Sequence, residues 1–298
     1  MSWLRRSDRA SDACSVLALL LAASGVPSSA DDTTPTPDKS GYTLFDPTPE
    51  ADLRSFNTDR PPKANSPYTV DAGHFQYETD LAVFGYGNTD GVQTRDWTVF
   101  DPTLKLGLTN TIDAELQVTP YESAVTQIGA ATTTRLAGVG DTFARLKINL
   151  LGDDGGAVAL ALLPYVKLPT ARVGLGNGKV EDGVILPVSF SAPGGFTVIV
   201  MPEADYLQDS AQSGYHGAFD LLVNVSHPLD KRWTVYSELF TTQSLQTGEP
   251  AIYTLDAALT CALTCALTAT LQLDLGGNFS LNGVAPRVQL YTGLSQRF

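Results

Sequence analysis

The C-terminal segment alternates between apolar and polar side chains and ends on an aromatic residue. Val288, Leu290 and Leu294 fall on one face of an extended chain, together with the last residue, Phe298. Outer-membrane β-barrels end in such a strand, because the last strand pairs with the first and its aromatic side chain lies in the interfacial girdle. The segment predicts an all-β transmembrane barrel of antiparallel strands, and Phe298 is the expected signal for membrane insertion.

The N-terminus has the parts of a secretory signal peptide. Arg5, Arg6 and Arg9 precede the apolar run 16–23, and small residues up to Ala30 offer a cleavage site. The apolar run is too short to span a membrane as a helix, which needs about 20 residues, and no later run approaches that length. We therefore predict a signal peptide at residues 1–30, and the pattern argues against a helical membrane protein.

Composition narrows the class further. The formal net charge is -13 at pH 7, which disfavours nucleic acid as a partner because phosphates repel an acidic surface. Hydrophobic residues make up 43% of the chain, as expected where apolar side chains occupy every second position of a strand. A secreted, soluble all-β domain would share these properties and is the alternative to a membrane barrel.

Cysteine and histidine usage predicts no metal site and no cofactor, since the chain lacks paired ligands at metal-binding spacing. Cys261 and Cys265 remain after signal removal. An exported protein can form a disulfide between them, and two reduced thiols are the alternative.

After the predicted signal peptide, the chain divides into two regions of different composition. Residues 31–66 are rich in Pro and Thr without apolar periodicity and predict a disordered periplasmic leader. Residues 67–298 alternate over segments of about ten residues, separated by Gly, Asn, Asp and Pro, which is typical of a membrane barrel. Short and longer connections alternate between these segments, as periplasmic turns and outer loops do. The twelve predicted strands are 69–86, 94–109, 112–121, 139–150, 157–168, 182–191, 196–207, 216–227, 233–243, 251–262, 267–278 and 286–298.

Charged side chains keep to one face of the predicted strands. In the strand that begins near residue 139, Asp141, Arg145 and Lys147 alternate with Leu146 and Ile148. A charge on the lipid face near the midplane would cost roughly 2–4 kcal/mol, so we assign the charged face to the lumen. The candidates for lining the lumen and the transport path are His74, Glu78, Asp80, Trp97, Asp101, Lys105, Asp113, Glu115, Asp141, Arg145, Lys147, Lys167, Glu203, Asp205, Asp220, Glu238, Asp256, Asp274, Arg287 and Arg297.

Acidic residues outnumber basic ones about two to one among these candidates. One interpretation is a wet interior that prefers cations or neutral solutes, and the other is that the charges pair across strands and select no solute. Twelve strands lie between small filled barrels and wide porins, so we expect a narrow channel or a binding cavity. Six aromatic residues are predicted on the same face and are hypothesised to line a solute path: Trp97, Tyr121, Phe143, Tyr165, Tyr236 and Tyr291.

Several short motifs resemble those of one family of outer-membrane proteins. They are segment 66–78, Gly138-Val-Gly-Asp141 before Arg145-Leu-Lys147, Leu168-Pro-Thr170, Leu273-Asp-Leu-Gly276 and the closing Gly293-Leu-Ser-Gln-Arg-Phe298. Over residues 66–298 the chain resembles the transporters of the MetA phenol-degradation pathway family. The resemblance implies an outer-membrane barrel that admits small, often hydrophobic or aromatic compounds. One departure is Gln296, where members of the family usually have an aromatic residue.

We therefore expect a bacterial outer-membrane channel for passive uptake of small organic compounds, with the lipid bilayer, lipopolysaccharide, the barrel-insertion machinery and a small-molecule solute as partners, and no nucleic acid. One alternative is a barrel hydrolase that uses His74, His216 or His227 as a base. Another is a plugged structural or surface-interaction barrel. Conductance in planar bilayers distinguishes the plugged barrel from the channel.

Overall fold

The alternating segments fold into one antiparallel sheet that closes on itself in the computed structural model. The structure describes residues 38–89, 91–129, 132–209, 214–246, 248–262 and 269–298, with the backbone alone for 255–262. The predicted signal peptide, the first part of the predicted leader (31–37) and Cys265 lie outside the described residues. So do the side chains of Asp256 and Cys261. In the described part of the chain, no helix is long and apolar enough to cross a membrane.

Within these residues the backbone forms fifteen strand segments. Two short 3-10 turns, Glu50–Asp52 and Pro193–Gly195, accompany them. The strands are β1 (Phe75–Thr89), β2 (Val92–Thr109), β3 (Ile112–Gln117), β4 (Tyr121–Ile128), β5 (Thr132–Gly138), β6 (Thr142–Leu151), β7 (Val158–Leu168), β8 (Glu181–Ile185), β9 (Val188–Ala192), β10 (Phe196–Gln208), β11 (Tyr215–Pro228), β12 (Trp233–Ser244), β13 (Ile252–Ala262), β14 (Leu271–Ser280) and β15 (Val288–Arg297).

Three strands of the barrel wall are interrupted. Segments β8 and β9 pair with the same two neighbours, β7 and β10, on either side of Pro187. Proline has no N–H to donate, so it breaks the hydrogen-bond ladder. Likewise β3 and β4 lie along successive halves of β2, and their partners β6 and β5 form the next wall strand. Counted in this way, the described residues form twelve wall strands, which confirms the predicted number.

The barrel closes between its first and last strands. Strand β1 pairs antiparallel with both β2 and β15, and the Phe298 N–H donates to the Phe75 carbonyl oxygen at 2.8 Å. The short connections 110–111, 152–157 and 229–232 lie at the same end as this seam. Because short turns mark the periplasmic side of outer-membrane barrels, we refer to this end as the periplasmic end.

Burial in this barrel is the reverse of that in a soluble protein. The side chains of Lys147 and Glu238 are each 1% exposed, whereas Leu275 is 60% and Leu290 50% exposed. An outer surface of leucine, valine and aromatic side chains is stable against lipid tails, and the charged groups avoid lipid by facing the lumen. The soluble all-β alternative does not fit this arrangement.

A β-bulge changes which side chains of β1 and β2 face inward. The pairing of β1 with β15 shifts between Asp80 and Ala82, and Phe100 in β2 has a φ of 61°. Before the bulge the inner face carries Glu78 and Asp80, and after it Val83 packs against the buried tyrosines of β12 and β15. A strand has a side-chain period of two, so one extra residue moves every later side chain to the other face.

Residues 38–66 differ from the disordered leader that composition predicts. Leu44 N–H donates to Leu108 O at 2.8 Å and Thr48 N–H to Ala72 O at 3.0 Å, so the segment first runs along the periplasmic rim. The chain then turns into the lumen and returns to the rim before β1. We call residues 54–71 the plug. Its order comes from contacts with distant strands, which local composition does not reveal.

Candidate functional site

The plug is anchored at the periplasmic rim by Arg54. The guanidinium donates from Nη2 to Asn110 Oδ1 at 2.7 Å and from Nε to Asp154 Oδ1 at 2.9 Å, and the Arg54 N–H donates to Asp71 Oδ2 at 3.1 Å. Partial burial alone would raise the pKa of the Asp154 carboxyl, but hydrogen bonds from Arg54, Asn110 and Lys39 lower it to about 2. Arg54 thus ties the start of the plug to its end and to two turns of the barrel.

Deeper in the lumen, Arg60 occupies a socket on the barrel wall. Its Nη1 lies 2.8 Å from Asp80 Oδ1, and Nη2 and Nε lie 2.8 and 3.1 Å from the two oxygens of Asp274. Gly293 is paired with Asp80 on one side and Asp274 on the other, and a Cβ atom there would collide with the guanidinium. We call Arg60, Asp80, Asp274 and Gly293 the arginine clasp. Burial alone would lower the pKa of Arg60, but the two carboxylates raise it above its ordinary value.

The neighbouring plug residue, Asp59, binds two lysines of the wall. Lys147 Nζ lies 2.8 Å from Asp59 Oδ2, and Lys105 Nζ also contacts this oxygen. The lysines are shared with wall carboxylates, at 2.6 Å between Lys105 and Glu78 and 3.2 Å between Lys147 and Glu115. Burial alone would raise the pKa of Asp59, but the two ammonium groups hold it well below the ordinary value. Asp59 and Arg60 are adjacent plug residues of opposite charge, and each therefore binds wall residues of the opposite charge.

The far side of the plug meets a different surface. The N–H groups of Lys63 and Ala64 donate to the Glu238 carboxylate at 3.0 and 3.1 Å. Ala64 packs in a buried cluster with inward side chains of four wall strands: Ala161, Leu163, Ile185, Met201 and Leu222. At the level of the plug the lumen thus has a charged half on β1, β2, β3, β6 and β14, and an apolar half on β7, β8, β10 and β11. The alternation of charged residues does not reveal the apolar half, because it marks lumen positions only where they carry a charge.

A cavity of about 240 Å³ lies between the plug and the charged half. Its volume is below that of typical small-molecule pockets. Because the plug supplies part of the lining, its position sets the width of the passage. The residues that line the cavity are Asp59, Arg60, Pro62, Lys63 and Asn65 of the plug and Glu78, Asp80, Asp101, Thr103, Lys105, Glu115, Gln117 and Arg145 of the wall.

Most of the predicted lumen residues are held in pairs. Besides those that bind the plug, Asp113 accepts the Val70 N–H at 2.8 Å and Asp205 accepts the Tyr165 hydroxyl at 2.6 Å. Asp101 accepts hydrogen bonds from Gln117 and Thr119. Lys167 lies 3.1 Å from Asp141 and 2.8 Å from Glu181. Glu203 and Asp220 differ, since they are two acids side by side in the register of β10 and β11. Their part in transport remains a prediction.

Three of the predicted positions are exposed in the structure and are corrected. Trp97 is 45% exposed, and its ring contacts that of Phe84 with 4.8 Å between the centroids. The neighbouring Asp96 lies on the inner face instead, next to Gly85. The bulge beside Phe100 is the cause, because it makes the side chains that precede it in β2 face the opposite way from the one that strict alternation predicts. Tyr121, paired with Val99, is also exposed. Arg287 is exposed in the loop before β15.

His74 precedes β1 at the periplasmic rim, where its ring nitrogens contact the carbonyl oxygens of Thr48 and Phe298. Arg297 lies at the same rim, with Nη1 2.9 Å from Arg54 O. These two residues connect the rim with the closing seam rather than lining the deeper lumen. Asp59 and Arg60 were not among the residues predicted from the sequence. The available signal was an acidic and a basic residue side by side before Pro61 and Pro62.

A closed twelve-stranded barrel with an apolar exterior and a charged interior defines the class: this chain is an outer-membrane β-barrel. It belongs to the family described as "Putative MetA-pathway of phenol degradation", whose model matches residues 58–298. The match includes most of the plug as well as the barrel.

Solved structures agree on the fold. An outer membrane channel from Pseudomonas putida F1 is 14% identical, with a TM-score of 0.59 over 80% of this chain and 100% of that chain. The β domain of the Bordetella autotransporter BrkA is 12% identical, with a TM-score of 0.51 over 76% of this chain and 99% of that chain. No curated protein matches the chain.

Proposed function

We propose that this protein is a passive outer-membrane channel for small organic compounds, hydrophobic and aromatic ones among them, whose passage is narrowed by the plug. The observation that carries the proposal is the cavity of about 240 Å³, enclosed partly by charged wall residues and partly by the plug. The apolar half of the lumen packs against the plug at Ala64, so a solute that has both a polar group and an apolar body finds a matching surface there when the plug is displaced. The similarity to an outer membrane channel supports this function.

The histidines support a channel over a hydrolase. His74 contacts two backbone carbonyl oxygens at the rim, and the His227 ring stacks on Phe196 with 4.5 Å between centroids. His216 Nδ1 lies 3.0 Å from Asp209 Oδ1, next to the outer loops. A catalytic base needs a nucleophile within hydrogen-bond reach, whereas the contacts of His74 and His216 are with carbonyl and carboxylate oxygens and that of His227 is with an aromatic ring.

We further propose that residues 1–30 direct export and are removed, and that Phe298 is read by the barrel-insertion machinery. The Phe298 ring lies 6.0 Å from that of Phe75, at the closing seam. Lipopolysaccharide is the expected contact of the outer half of the barrel, on the side away from the periplasmic turns.

Liposome swelling tests the channel proposal. Protein lacking residues 1–30 is reconstituted, and swelling rates are compared for sugars, organic acids and small aromatic solutes of similar size. We expect small aromatic solutes to enter faster than sugars, because the apolar half favours them. A correctly folded barrel that passes no solute and no ions, even when the plug is removed, would contradict a channel and favour a structural barrel.

A further inference from the structure

One row of paired residues crosses the barrel wall and contains an arginine between two acids. Glu115 is paired with Arg145, Arg145 with Tyr165, Tyr165 with Gly183 and Gly183 with Asp205. Both acids of the row are engaged elsewhere. Glu115 lies 3.2 Å from Lys147 Nζ, and Asp205 accepts the Tyr165 hydroxyl at 2.6 Å. Gly183 permits this hydroxyl contact, because a Cβ there would collide with both side chains.

Arg145 consequently keeps donors that no acid in the described part of the chain takes up. Its Nη2 donates to Gln117 Oε1 at 2.8 Å, and its guanidinium lies 5.2 Å from the centroid of the Phe143 ring. Among the residues that the structure describes, no carboxylate lies within 4 Å of Arg145. An acidic partner does lie within 4 Å of each of the other inward basic residues Arg60, Lys105, Lys147 and Lys167.

Arg145 is one of the residues that line the cavity beside the plug. A planar guanidinium binds a carboxylate through two parallel hydrogen bonds, and such charge-assisted bonds are roughly twice as strong as neutral ones. Phe143 lies one inward position nearer the outer end of β6, with its ring 6.2 Å from that of Tyr165. Arg145 thus has cavity space on one side and two aromatic rings on the other.

We propose that Arg145 is the binding site for the carboxylate of a small aromatic acid, whose ring lies towards Phe143 and Tyr165. This inference rests on the proposed function and adds a solute class to it.

Benzoate, benzyl alcohol and benzylamine are the probes, since they share a ring and differ in charge. Binding to the folded protein lacking residues 1–30 is measured by calorimetry in detergent, separately from uptake into liposomes. We expect benzoate to bind more tightly than the other two. Arg145→Gln should weaken benzoate binding about tenfold or more, because a charge-assisted contact is lost, and should leave benzyl alcohol unaffected. Arg145→Lys should restore part of the affinity.

The matched control is Arg172→Gln, which makes the same charge change at an exposed arginine. Equal binding of benzoate and benzyl alcohol by the unaltered protein would overturn the proposal without any variant. So would equal losses in Arg145→Gln and Arg172→Gln. If benzoate binds through Arg145 but no solute enters liposomes, the site stands and the channel function fails. If neutral aromatics enter while benzoate does not bind, the function stands and the site fails.

Discussion

At the scale of single residues, the plug is held by a few groups whose partners are far away in sequence. Arg60 binds Asp80 and Asp274 across Gly293, and Asp59 binds Lys105 and Lys147. Removing one member of a buried ion pair leaves an uncompensated charge, which typically costs about 3–5 kcal/mol. Adjacent plug residues of opposite charge also fix the register, because a shift by one residue would place like charges together.

Arg60→Met should loosen the plug. Asp80 and Asp274 lose their cation, and we expect single-channel conductance in planar bilayers to rise and to fluctuate more. Arg172→Met is the control, because the same substitution at an exposed arginine should leave conductance unchanged. Identical traces for Arg60→Met and the unaltered protein would show that the clasp does not hold the plug.

Gly293→Ala should act through the same contact. The new Cβ occupies the place of the Arg60 guanidinium, so conductance should rise as it does in Arg60→Met. Contacting residues are not additive, and the double variant should be no more open than either single one. Gly41→Ala is the control, since a Cβ there meets no atom within 4 Å. Fully additive effects would argue against a shared contact.

At the scale of elements, breaks in the strands decide which side chains reach the lumen. The bulge near Leu81 and Phe100 reverses the faces of β1 and β2. The alternation of charged residues alone placed Glu78, Asp80 and Lys105 on the inner face, where the structure has them, because these residues lie on the periplasmic side of the bulge. It misplaced Trp97, because the register change depends on backbone geometry that the alternation does not encode.

Tryptophan quenching tests the orientation of Trp97. In protein lacking residues 1–30, Trp233→Phe leaves Trp97 as the single tryptophan. Its fluorescence in vesicles should be quenched by lipids brominated in the acyl chain, because the side chain is on the outer face. The complementary variant Trp97→Phe reports on Trp233 as a comparison. Strong quenching of Trp97 by iodide with no effect of brominated lipid would place it in the lumen after all.

At the scale of the whole molecule, barrel and plug are complementary. The charged half receives Asp59 and Arg60, and the apolar half receives Ala64. Without the plug, the lumen would retain buried lysines and carboxylates with fewer partners, although water can enter and solvate them. The plug therefore both narrows the passage and stabilises the barrel interior.

Deleting residues 31–66 tests this dual role. We expect higher conductance than in protein that begins at residue 31, and a lower unfolding temperature in the gel-shift assay that distinguishes folded from unfolded barrels. A conservative version, Asp59→Asn with Arg60→Gln, keeps the chain length and serves as the comparison. Higher thermal stability or unchanged conductance after deletion would contradict the role of the plug.

The sequence by itself determined the membrane barrel, its twelve strands and the side of most charged residues. These properties follow from local alternation, because the cost of placing a charge in lipid acts on each residue separately. The tertiary structure decided the path of residues 38–66, the bulge that turns Trp97 outward and the apolar half of the lumen. These depend on contacts between residues distant in sequence, such as Arg60 with Asp274, and such contacts produce no periodic pattern in the sequence.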